Sequence, residues 1–479
     1  MLFKTKPDPH QFDAYAFAYP RAESALLMEQ GTGKTKTAID LAANWYAERL
    51  IDGMLVAAPN GVHIDWIKDQ MAQHWPDSLP VEARWFVSGA GKKATAVLEE
   101  ILVPRQAFRL LTINVEALIH SGGVVAERFL RSGRMVFAFD ESSLIKTPSA
   151  STTRNAQRLA RFAAKRLIMT GTEITEGPMD IYAQFQFLRP GLIGVPNFAA
   201  FKARYADWLE RRVVRGGREH AFKEVVRYKN LDELKRIVAA NSYQIRRKDC
   251  MALPPQIFQT RSVILSDEQR SAYNAVRERV LVEFEHGTLT TPLYLTRITR
   301  LAQIAGGFLP LDDLPDGEVR PLRNAKLIAL TQEVDEISPT EQFIVWARFR
   351  AELDAITRML TERGERPARW WGGVPNRNQE ADEFKAGERR VMVAQPRAGG
   401  KGHNWIAGTT VLYYSNSFSY EDRKQTEDRS HRRGQIERVL YRDLKALDTV
   451  DEKILKALRA KQTMAEFFKT SVDNGEPIL

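Results

Sequence analysis

The stretch ALLMEQGTGKTKT, residues 25–37, joins an apolar segment to a glycine-rich turn and then to a helical pattern. Residues 25–28 have the composition of a buried strand, and Ala38, Leu41 and Trp45 then recur at helical spacing. In a βαβ unit, a strand leads through a turn into a helix that packs back on the sheet, and this stretch has the pattern of such a start. The stretch therefore predicts an α/β fold with a parallel sheet.

The same alternation of buried strands and amphipathic helices recurs in two parts of the chain. Further strands are predicted at residues 54–58, 109–113, 135–139 and 166–169, and then at 343–347, 369–371, 390–394, 410–414 and 438–442. Between the two sets the pattern is mostly helical, except that VVRGGR at residues 213–218 predicts a hairpin with a Gly-Gly turn. We therefore expect two α/β lobes, residues 1–197 and 321–479, with an insertion and inter-lobe linker at 198–320.

The composition excludes several classes of protein. The chain has 479 residues, of which 44% are hydrophobic and 27% charged, so it is neither disordered, collagen-like nor rich in disulfides. Cys250 is its one cysteine, which excludes an internal disulfide and disfavours a zinc site. The sequence shows no signal peptide and no run of about 18 apolar residues, so we expect a cytoplasmic protein with no membrane partner.

The positive charge is concentrated in one part of the chain. The whole sequence has 70 Lys plus Arg and 60 Asp plus Glu, a net charge of +10. Residues 201–300 alone have 20 Lys plus Arg and 12 Asp plus Glu, a local net charge of +8. A basic excess of this kind favours a polyanionic partner such as nucleic acid, bound without sequence specificity.

The turn Gly31-Thr32-Gly33-Lys34-Thr35 has the composition and context of a phosphate-binding loop. Its glycines allow backbone N–H groups to approach phosphates, and the N-terminus of the following helix favours negative charge. Lys34 would contact the β- and γ-phosphates, and the Thr35 hydroxyl would bind Mg²⁺. Met28 stands where the general pattern has its first glycine.

The acidic pair Asp140-Glu141 ends the predicted strand at residues 135–139. Asp140 is suited to holding Mg²⁺, and Glu141 to orienting and deprotonating an attacking water. Alone, such a pair is more typical of a solvated turn, and it gains significance from the phosphate loop in the same predicted lobe. Because parallel strands end along one edge of a sheet, we expect Lys34 and Asp140 to converge.

Four further strings follow in the sequence: DESSLIK at 140–146, LIMTGTEITEGPMDIYAQFQFLRP at 167–190, QPRAGGKGHNW at 395–405 and QTEDRSHRRGQ at 425–435. In this order, these strings resemble the Swi/Snf branch of helicase superfamily two, the double-stranded DNA translocases. The resemblance covers nearly the whole chain. It implies two RecA-like parallel-sheet lobes, with the mostly helical basic insertion between them, that enclose ATP and Mg²⁺ and step along DNA.

The resemblance also implies roles for individual residues. Those implied for nucleotide binding are Gln11, Gly31, Thr32, Gly33, Lys34, Thr35, Gly402 and Gln425, with Gln11 on the adenine base. Those implied for catalysis are Lys34, Asp140, Glu141, Arg429 and Arg432. Those implied to couple hydrolysis to DNA are Thr170, Gly171 and Thr172. Those implied to contact DNA are Pro59, Trp66, Asn114, Arg397 and Lys401. The chain departs from the family pattern at Ser143, Glu173 and Pro396, where relatives often have His, Pro and Thr.

Arg429 and Arg432 are three residues apart, so on a helical turn they would share a face and present two guanidinium groups to one phosphate. A solvated basic helix face is the alternative interpretation of this segment. Because Lys34 and Arg432 fall in different predicted lobes, a complete site would require the lobes to close.

The basic insertion is the predicted DNA track. Arginines 211, 212, 215 and 218 surround the Gly-Gly turn, and Arg246, Arg247 and Lys248 follow. We expect Arg215 and Arg218, together with this second group, to contact the DNA backbone; a solvated surface hairpin is the alternative. The pair Trp370-Trp371 is more typical of a core than of a base-stacking platform.

These observations favour an ATP-dependent motor that moves along or remodels duplex or branched DNA. An ATP-switched nucleic-acid clamp, a polymerase-associated factor and an RNA-directed helicase of the same superfamily are the alternatives. The compact form resembles bacterial or phage-encoded members, so we expect a bacterial or phage-infected cytoplasm. A protein partner in replication, recombination or transcription is compatible with the sequence.

Overall fold

The structure is a computed structural model that describes residues 1–86, 99–103, 106–171, 178–215, 218–285, 291–311, 319–396 and 405–461, together with 464, 467, 470 and 471. For residues 210–215, 218–224 and 291–292 the description is limited to the backbone. The chain forms two compact units, Met1–Ala252 and Leu253–Leu479.

The first unit is built on a seven-stranded sheet in which all pairings are parallel. Its strands are β1 Glu23–Met28, β2 Gly53–Ala58, β3 Val81–Trp85, β4 Phe108–Asn114, β5 Met135–Asp140, β6 Lys165–Thr170 and β9 Ser242–Ile245. They lie in the order β3-β4-β2-β5-β6-β1-β9. Two further strands, β7 Ala206–Arg215 and β8 Arg218–Tyr228, form a separate antiparallel hairpin.

Helices cover both faces of this sheet. They are α1 Pro9–Ala18, α2 Lys34–Ala47, α3 Val62–Asp65, α4 Ala72–His74, α5 Ser121–Arg131, α6 Ser151–Ala160, α7 Ile181–Leu188, α8 Phe198–Tyr205, α9 Leu231–Asn241 and α10 Arg247–Cys250. Leu110 belongs to the apolar core on one face and Leu111 to the core on the other, because successive strand residues point to opposite faces. Burial on both faces explains why central strands such as β2 and β5 are continuous apolar runs.

The second unit contains a six-stranded parallel sheet in the order β10-β17-β16-β13-β15-β14. These strands are β10 Gln256–Val263, β13 Phe343–Trp346, β14 Ala368–Trp370, β15 Val391–Ala394, β16 Thr410–Tyr413 and β17 Val439–Ala446, and β11 Phe308–Pro310 pairs with β12 Val319–Pro321. The helices are α11 Asp267–Glu285, α12 Thr291–Ala305, α13 Ala325–Glu336, α14 Arg350–Glu362, α15 Arg377–Lys385, α16 Tyr420–Ser430 and α17 Val450–Arg459. Apolar cores again lie on both faces.

The predicted fold class, two α/β lobes on parallel sheets, is confirmed. The predicted hairpin is also confirmed, since Arg215 pairs with Arg218; residues 216–217 of its turn lie outside the described residues. The chain between the predicted lobes is divided differently, because β9 joins β1 in the first sheet and β10 joins β17 in the second. That residues 198–320 act as one functional insertion stays a prediction.

No helix in the described part of the chain is both long enough and apolar enough to cross a membrane.

Candidate active site

The phosphate loop of the first unit is shaped by two glycines in the left-handed region. Gly31 has φ +82° and Gly33 has φ +93°, and α2 begins immediately afterwards at Lys34. A Cβ on Gly33 would lie 2.2 Å from Nε2 of Gln11, so the glutamine side chain fills the space that any other residue would need. Glycine is therefore required here both by the backbone conformation and by the packing.

Helix α1 is anchored to this loop by two side chains. Nε2 of His10 lies 2.8 Å from the carbonyl oxygen of Thr32, and Nε2 of Gln11 donates to the same oxygen at 3.2 Å. Both side chains are buried. The residue that the family resemblance assigned to the adenine base thus contacts the phosphate loop directly.

The residues of the loop fit the phosphates of a nucleotide. Lys34 Nζ donates to the carbonyls of Met28 at 2.8 Å and of Glu29 at 3.3 Å, which holds its ammonium group across the loop. Lys34 and Thr35 are half-buried in the first turn of α2. A glycine cradle, a lysine ammonium and a helix N-terminus together form a donor set suited to a triphosphate.

Asp140 and the loop lie at the same edge of the sheet. Strand β6 pairs with β5, which ends at Asp140, and with β1, which leads into the loop. The carboxyl ends of these neighbouring strands are therefore about 5 Å apart from one strand to the next. Asp140 is 9% exposed, and its Oδ2 accepts a hydrogen bond from the indole Nε1 of Trp66 at 2.9 Å.

Glu141 has a backbone conformation that is rare for a residue with a side chain. Its φ and ψ are both 60°, in the left-handed region, at the start of the short 3₁₀ turn Ser142–Ile145. Such a conformation costs on the order of 1 kcal/mol or more and is typical of functional sites. Its Oε1 accepts hydrogen bonds from the hydroxyls of Ser143 at 2.9 Å and Thr170 at 3.5 Å. Ser143, the departure from the family pattern, thus orients the carboxylate.

The segment that ends β6 also reaches the phosphate loop. Gly171 lies so close to it that a Cβ there would be 3.1 Å from the backbone nitrogen of Gln30. Because Thr170 contacts Glu141 and Gly171 contacts the loop, these two residues connect the acidic pair with the phosphate loop. Thr172, the third residue of this predicted coupling element, lies outside the described residues.

The structure corrects the position predicted for Arg247. The expectation of a DNA-backbone contact requires an exposed guanidinium, but Arg247 is buried, and its Nε and Nη2 donate to the carbonyl of Gln30 at 3.2 and 2.9 Å. Its backbone N–H donates to the carboxylate of Glu29 at 2.8 Å. Arg247 therefore supports the phosphate loop, whereas Arg246 and Lys248 beside it are exposed.

The family resemblance placed Pro59, Trp66 and Asn114 at the DNA. Pro59 follows β2 and Asn114 ends the neighbouring β4, so both lie at the same sheet edge as Asp140, half-buried. Trp66 is only 1% exposed and contacts Asp140 instead, which corrects its predicted position on DNA. The sequence interpretation missed this contact because Trp66 lies in an irregular π-helical segment after α3 and not at the end of a predicted strand.

In the second unit, Arg429 is 7% exposed and lies on aromatic rings. Its guanidinium carbon is 4.7 Å from the ring centroid of Trp405 and 5.8 Å from that of Trp346. Burial, with a smaller contribution from the charge of Arg432, lowers the pKa of Arg429 to about 10. The side chain still carries its charge at neutral pH.

Arg432 does not share a helix with Arg429, contrary to the sequence interpretation. Helix α16 ends at Ser430, and His431 then has φ −104° and ψ 83°, so Arg432 follows the end of the helix, half-buried. Gln425 lies on α16 and donates to Glu421 at 3.1 Å. The pair Trp370-Trp371 is 1% and 3% exposed, which confirms the core interpretation.

Several predicted site residues cannot be placed. Arg397, Lys401 and Gly402 lie outside the described residues, and only the backbone of Arg215 and Arg218 is described. Their roles stay predictions.

Comparison with known proteins places both halves of the chain. Residues 14–305, more than half of the chain, match the SNF2-related domain, and residues 325–434 match the helicase conserved C-terminal domain. Among curated relatives, the SWI/SNF-related matrix-associated actin-dependent regulator of chromatin subfamily A-like protein 1 of Drosophila melanogaster is 24% identical over 465 residues, which cover 95% of this chain and 55% of the relative.

Two further relatives come from a mammal and a bacterium. The DNA annealing helicase and endonuclease ZRANB3 of Bos taurus is 25% identical over 455 residues, or 92% of this chain and 38% of the relative. The uncharacterized ATP-dependent helicase MG018 of Mycoplasma genitalium is 25% identical over 455 residues, which cover 94% of this chain and 40% of the relative. The chain thus spans between 38% and 55% of the length of these three relatives. The match of residues 14–305 to the SNF2-related domain nevertheless confirms the resemblance. This chain belongs to the SNF2-related family.

Proposed function

We propose that this protein is an ATP-dependent DNA translocase that moves along or remodels duplex or branched DNA. The observation that carries the proposal is the meeting of the phosphate loop, Asp140 and Glu141 at one sheet edge, with Glu141 strained and oriented by Ser143. A protein that only bound ATP as a switch would have no use for an oriented carboxylate beside the loop. The relatives named above include helicases, and one is named for annealing DNA.

Different residues of the first unit would bind the phosphates, hold Mg²⁺ and activate the attacking water. The loop amides and Lys34 bind and orient the phosphates, while Gln11 extends from α1 toward the same loop. Thr35 and Asp140 would hold Mg²⁺, which when bound supplies charge stabilisation to the phosphates. Glu141 orients a water and accepts its proton, and Ser143 fixes the carboxylate for that task.

The second unit would contribute the positive charge that hydrolysis requires. Arg429 is held on Trp405 with its charge retained, and Arg432 follows the end of the same helix, half-buried. We propose that these guanidinium groups stabilise the γ-phosphoryl group in the transition state when the lobes close. Hydrolysis would then be coupled to lobe movement along DNA, with the basic segment at residues 201–300 as part of the track.

The test is steady-state ATPase activity measured with Mg²⁺ under five conditions. One condition contains no nucleic acid, and the others contain single-stranded DNA, duplex DNA, a four-way DNA junction or duplex RNA. Stimulation by duplex or branched DNA is expected. Equal rates under all five conditions would contradict the motor, and stronger stimulation by duplex RNA would favour an RNA-directed helicase. The cellular setting that we propose, a bacterial or phage-infected cytoplasm, can be examined separately by fractionation.

The variant Glu141→Gln separates turnover from binding. It should reduce kcat by about 1,000-fold or more, because the residue that accepts the proton is lost. ATP affinity and DNA affinity should stay within about twofold of the wild type, since Gln keeps the shape of the side chain. Undiminished hydrolysis would remove Glu141 from its proposed role.

A further inference from the structure

Trp66 is a buried residue with one polar contact, and that contact is to the acidic pair. It begins the short π-helical turn Trp66–Met71 that follows α3, and it is 1% exposed in the apolar core on the α2 face of the sheet. Its Nε1 donates to Oδ2 of Asp140 at 2.9 Å. An indole has a single donor and accepts no hydrogen bond, so this contact is the whole of its polar chemistry.

The contact restricts the orientation of the Asp140 carboxylate. A hydrogen bond to an ionised acceptor is roughly twice as strong as one between neutral groups, and a buried indole ring cannot rotate to follow the carboxylate. Groups that orient a metal-binding carboxylate typically change metal affinity by about 10- to 100-fold when they are removed. Trp66 is therefore placed to control how Asp140 binds a cation without touching the cation itself.

We propose that Trp66 is a positioning residue that fixes the Asp140 carboxylate for Mg²⁺-nucleotide binding. The proposal rests on the proposed function, because it takes Asp140 to be the carboxylate that holds Mg²⁺. It replaces the DNA contact that the family resemblance implied for Trp66.

Trp45 provides a matched control in the same unit. It is 2% exposed, belongs to the same apolar core, and its Nε1 donates at 2.9 Å to the backbone carbonyl of Tyr19. The two tryptophans thus share burial and hydrogen-bond length but differ in their acceptor. A purely structural role for Trp66 would make their replacement by Phe equivalent.

The experiment measures equilibrium binding of a fluorescent, non-hydrolysable ATP analogue to the full chain, first in EDTA and then across a Mg²⁺ titration. For Trp66→Phe we expect the Mg²⁺ concentration at half-saturation to rise about tenfold. Binding in EDTA should stay within twofold of the wild type, because the loop that contacts the phosphates is unaltered. Trp45→Phe should change neither quantity.

The proposal is overturned if Trp66→Phe has the wild-type Mg²⁺ dependence, or if it weakens binding in EDTA as much as in Mg²⁺. If the Phe variant does not fold, 3-benzothienylalanine in place of Trp66 keeps the ring shape and removes the N–H, and the same two measurements then decide. A wild-type protein that binds the analogue equally in EDTA and Mg²⁺ would contradict the proposed function instead.

Discussion

The guanidinium of Arg247 and the backbone carbonyl of Gln30 are joined by two hydrogen bonds, at 3.2 and 2.9 Å. The two residues are 217 positions apart in the sequence. Gln30 belongs to the phosphate loop, and Arg247 lies five residues before the boundary at Ala252 between the two compact units. The chain that leads to the second unit thus holds the loop that we propose binds ATP.

The first prediction follows from this contact. Arg247→Ala should weaken ATP binding by roughly 10- to 100-fold, because a buried charged donor is removed and the loop carbonyl loses its partner. Arg246→Ala is the matched control, since Arg246 is exposed and pairs only at the surface with Asp249 at 3.1 Å. ATP affinity by isothermal titration calorimetry, with circular dichroism to verify folding, compares the two. Similar losses in both variants would argue against support of the loop by Arg247.

Gly33 gives the second prediction. Gly33→Ala should weaken ATP binding at least about tenfold, because alanine is strained at φ +93° and its Cβ displaces Gln11 from its contact with Thr32. In a Gln11→Ala background the clash is absent and only the backbone strain remains, so Gly33→Ala should reduce ATP affinity by a smaller factor there. If the two substitutions instead reduced ATP affinity independently, so that their effects were additive in free energy, the packing argument would be contradicted.

Gly191→Ala is the control for backbone strain alone. Gly191 also has positive φ, at +79°, but a Cβ there would meet no atom within 4 Å. It should lower stability by about 1 kcal/mol and leave ATP affinity unchanged.

Much of the fold could be predicted because its central strands are buried on both faces. Strands such as β2 and β5 are continuous apolar runs, and that pattern is visible without any knowledge of the neighbours. Strands β9 and β10 were missed because they lie at sheet edges, where β10 is mostly exposed and polar residues interrupt it. An edge strand is defined by its partner more than by its own composition.

The candidate site likewise contains residues whose positions could be predicted from the sequence and residues whose contacts could not. Lys34 and Asp140 could be placed together because the ends of parallel strands share an edge, which topology alone fixes. Trp66, Ser143 and Arg247 could not be given their observed contacts, because each depends on how a distant or irregular segment folds back. Arg432 was misplaced for a related reason: the spacing of two residues fixes a shared face only while the helix continues.

The third prediction concerns a buried carboxyl in the second unit. Glu352 is fully buried at the start of α14, where it accepts hydrogen bonds from the Ser415 hydroxyl at 2.5 Å and from the backbone N–H of Phe349 at 3.1 Å. Burial raises its pKa from 4.5 to about 7, although Ser415 and the charge of Lys326 act in the opposite direction. The folded protein therefore holds a proton on Glu352 between about pH 4.5 and 7 that the unfolded chain releases.

Because the folded state binds more protons in this window, Glu352 costs stability as the pH rises through it. Glu352→Gln removes the titration, so the difference in unfolding free energy between variant and wild type should shift in favour of the variant by about 2 to 3 kcal/mol from pH 5 to pH 8. Urea unfolding at both values measures it. Glu362→Gln, at an exposed position of the same helix, is the control and should show no such shift. A shift of the opposite sign would contradict the assignment.

The last prediction tests the hairpin of β7 and β8 as part of the DNA track. Arg215 pairs with Arg218 across its end, so both arginines lie beside the turn of an element that forms a sheet of its own. If both contact phosphates, the double reversal Arg215→Glu and Arg218→Glu should reduce the slope of log affinity against log salt by about 1.8, because each lost contact removes about 0.9. DNA affinity at low salt should fall by at least about tenfold. ATP binding should not change, because the phosphate loop and the residues that support it, such as Gln11 and Arg247, lie outside the hairpin.

The control has the same change in charge at another surface of the first unit. Arg128 and Arg131 on α5 are 52% and 56% exposed and form surface ion pairs with Glu99 and Glu127. Reversal of both alters net charge equally, so a general electrostatic effect would lower DNA affinity in the two double variants alike. A specific track predicts loss only in the hairpin variant, and fluorescence anisotropy with a labelled duplex across a salt series distinguishes the two. Unchanged affinity and slope in the hairpin variant would remove the hairpin from the DNA track.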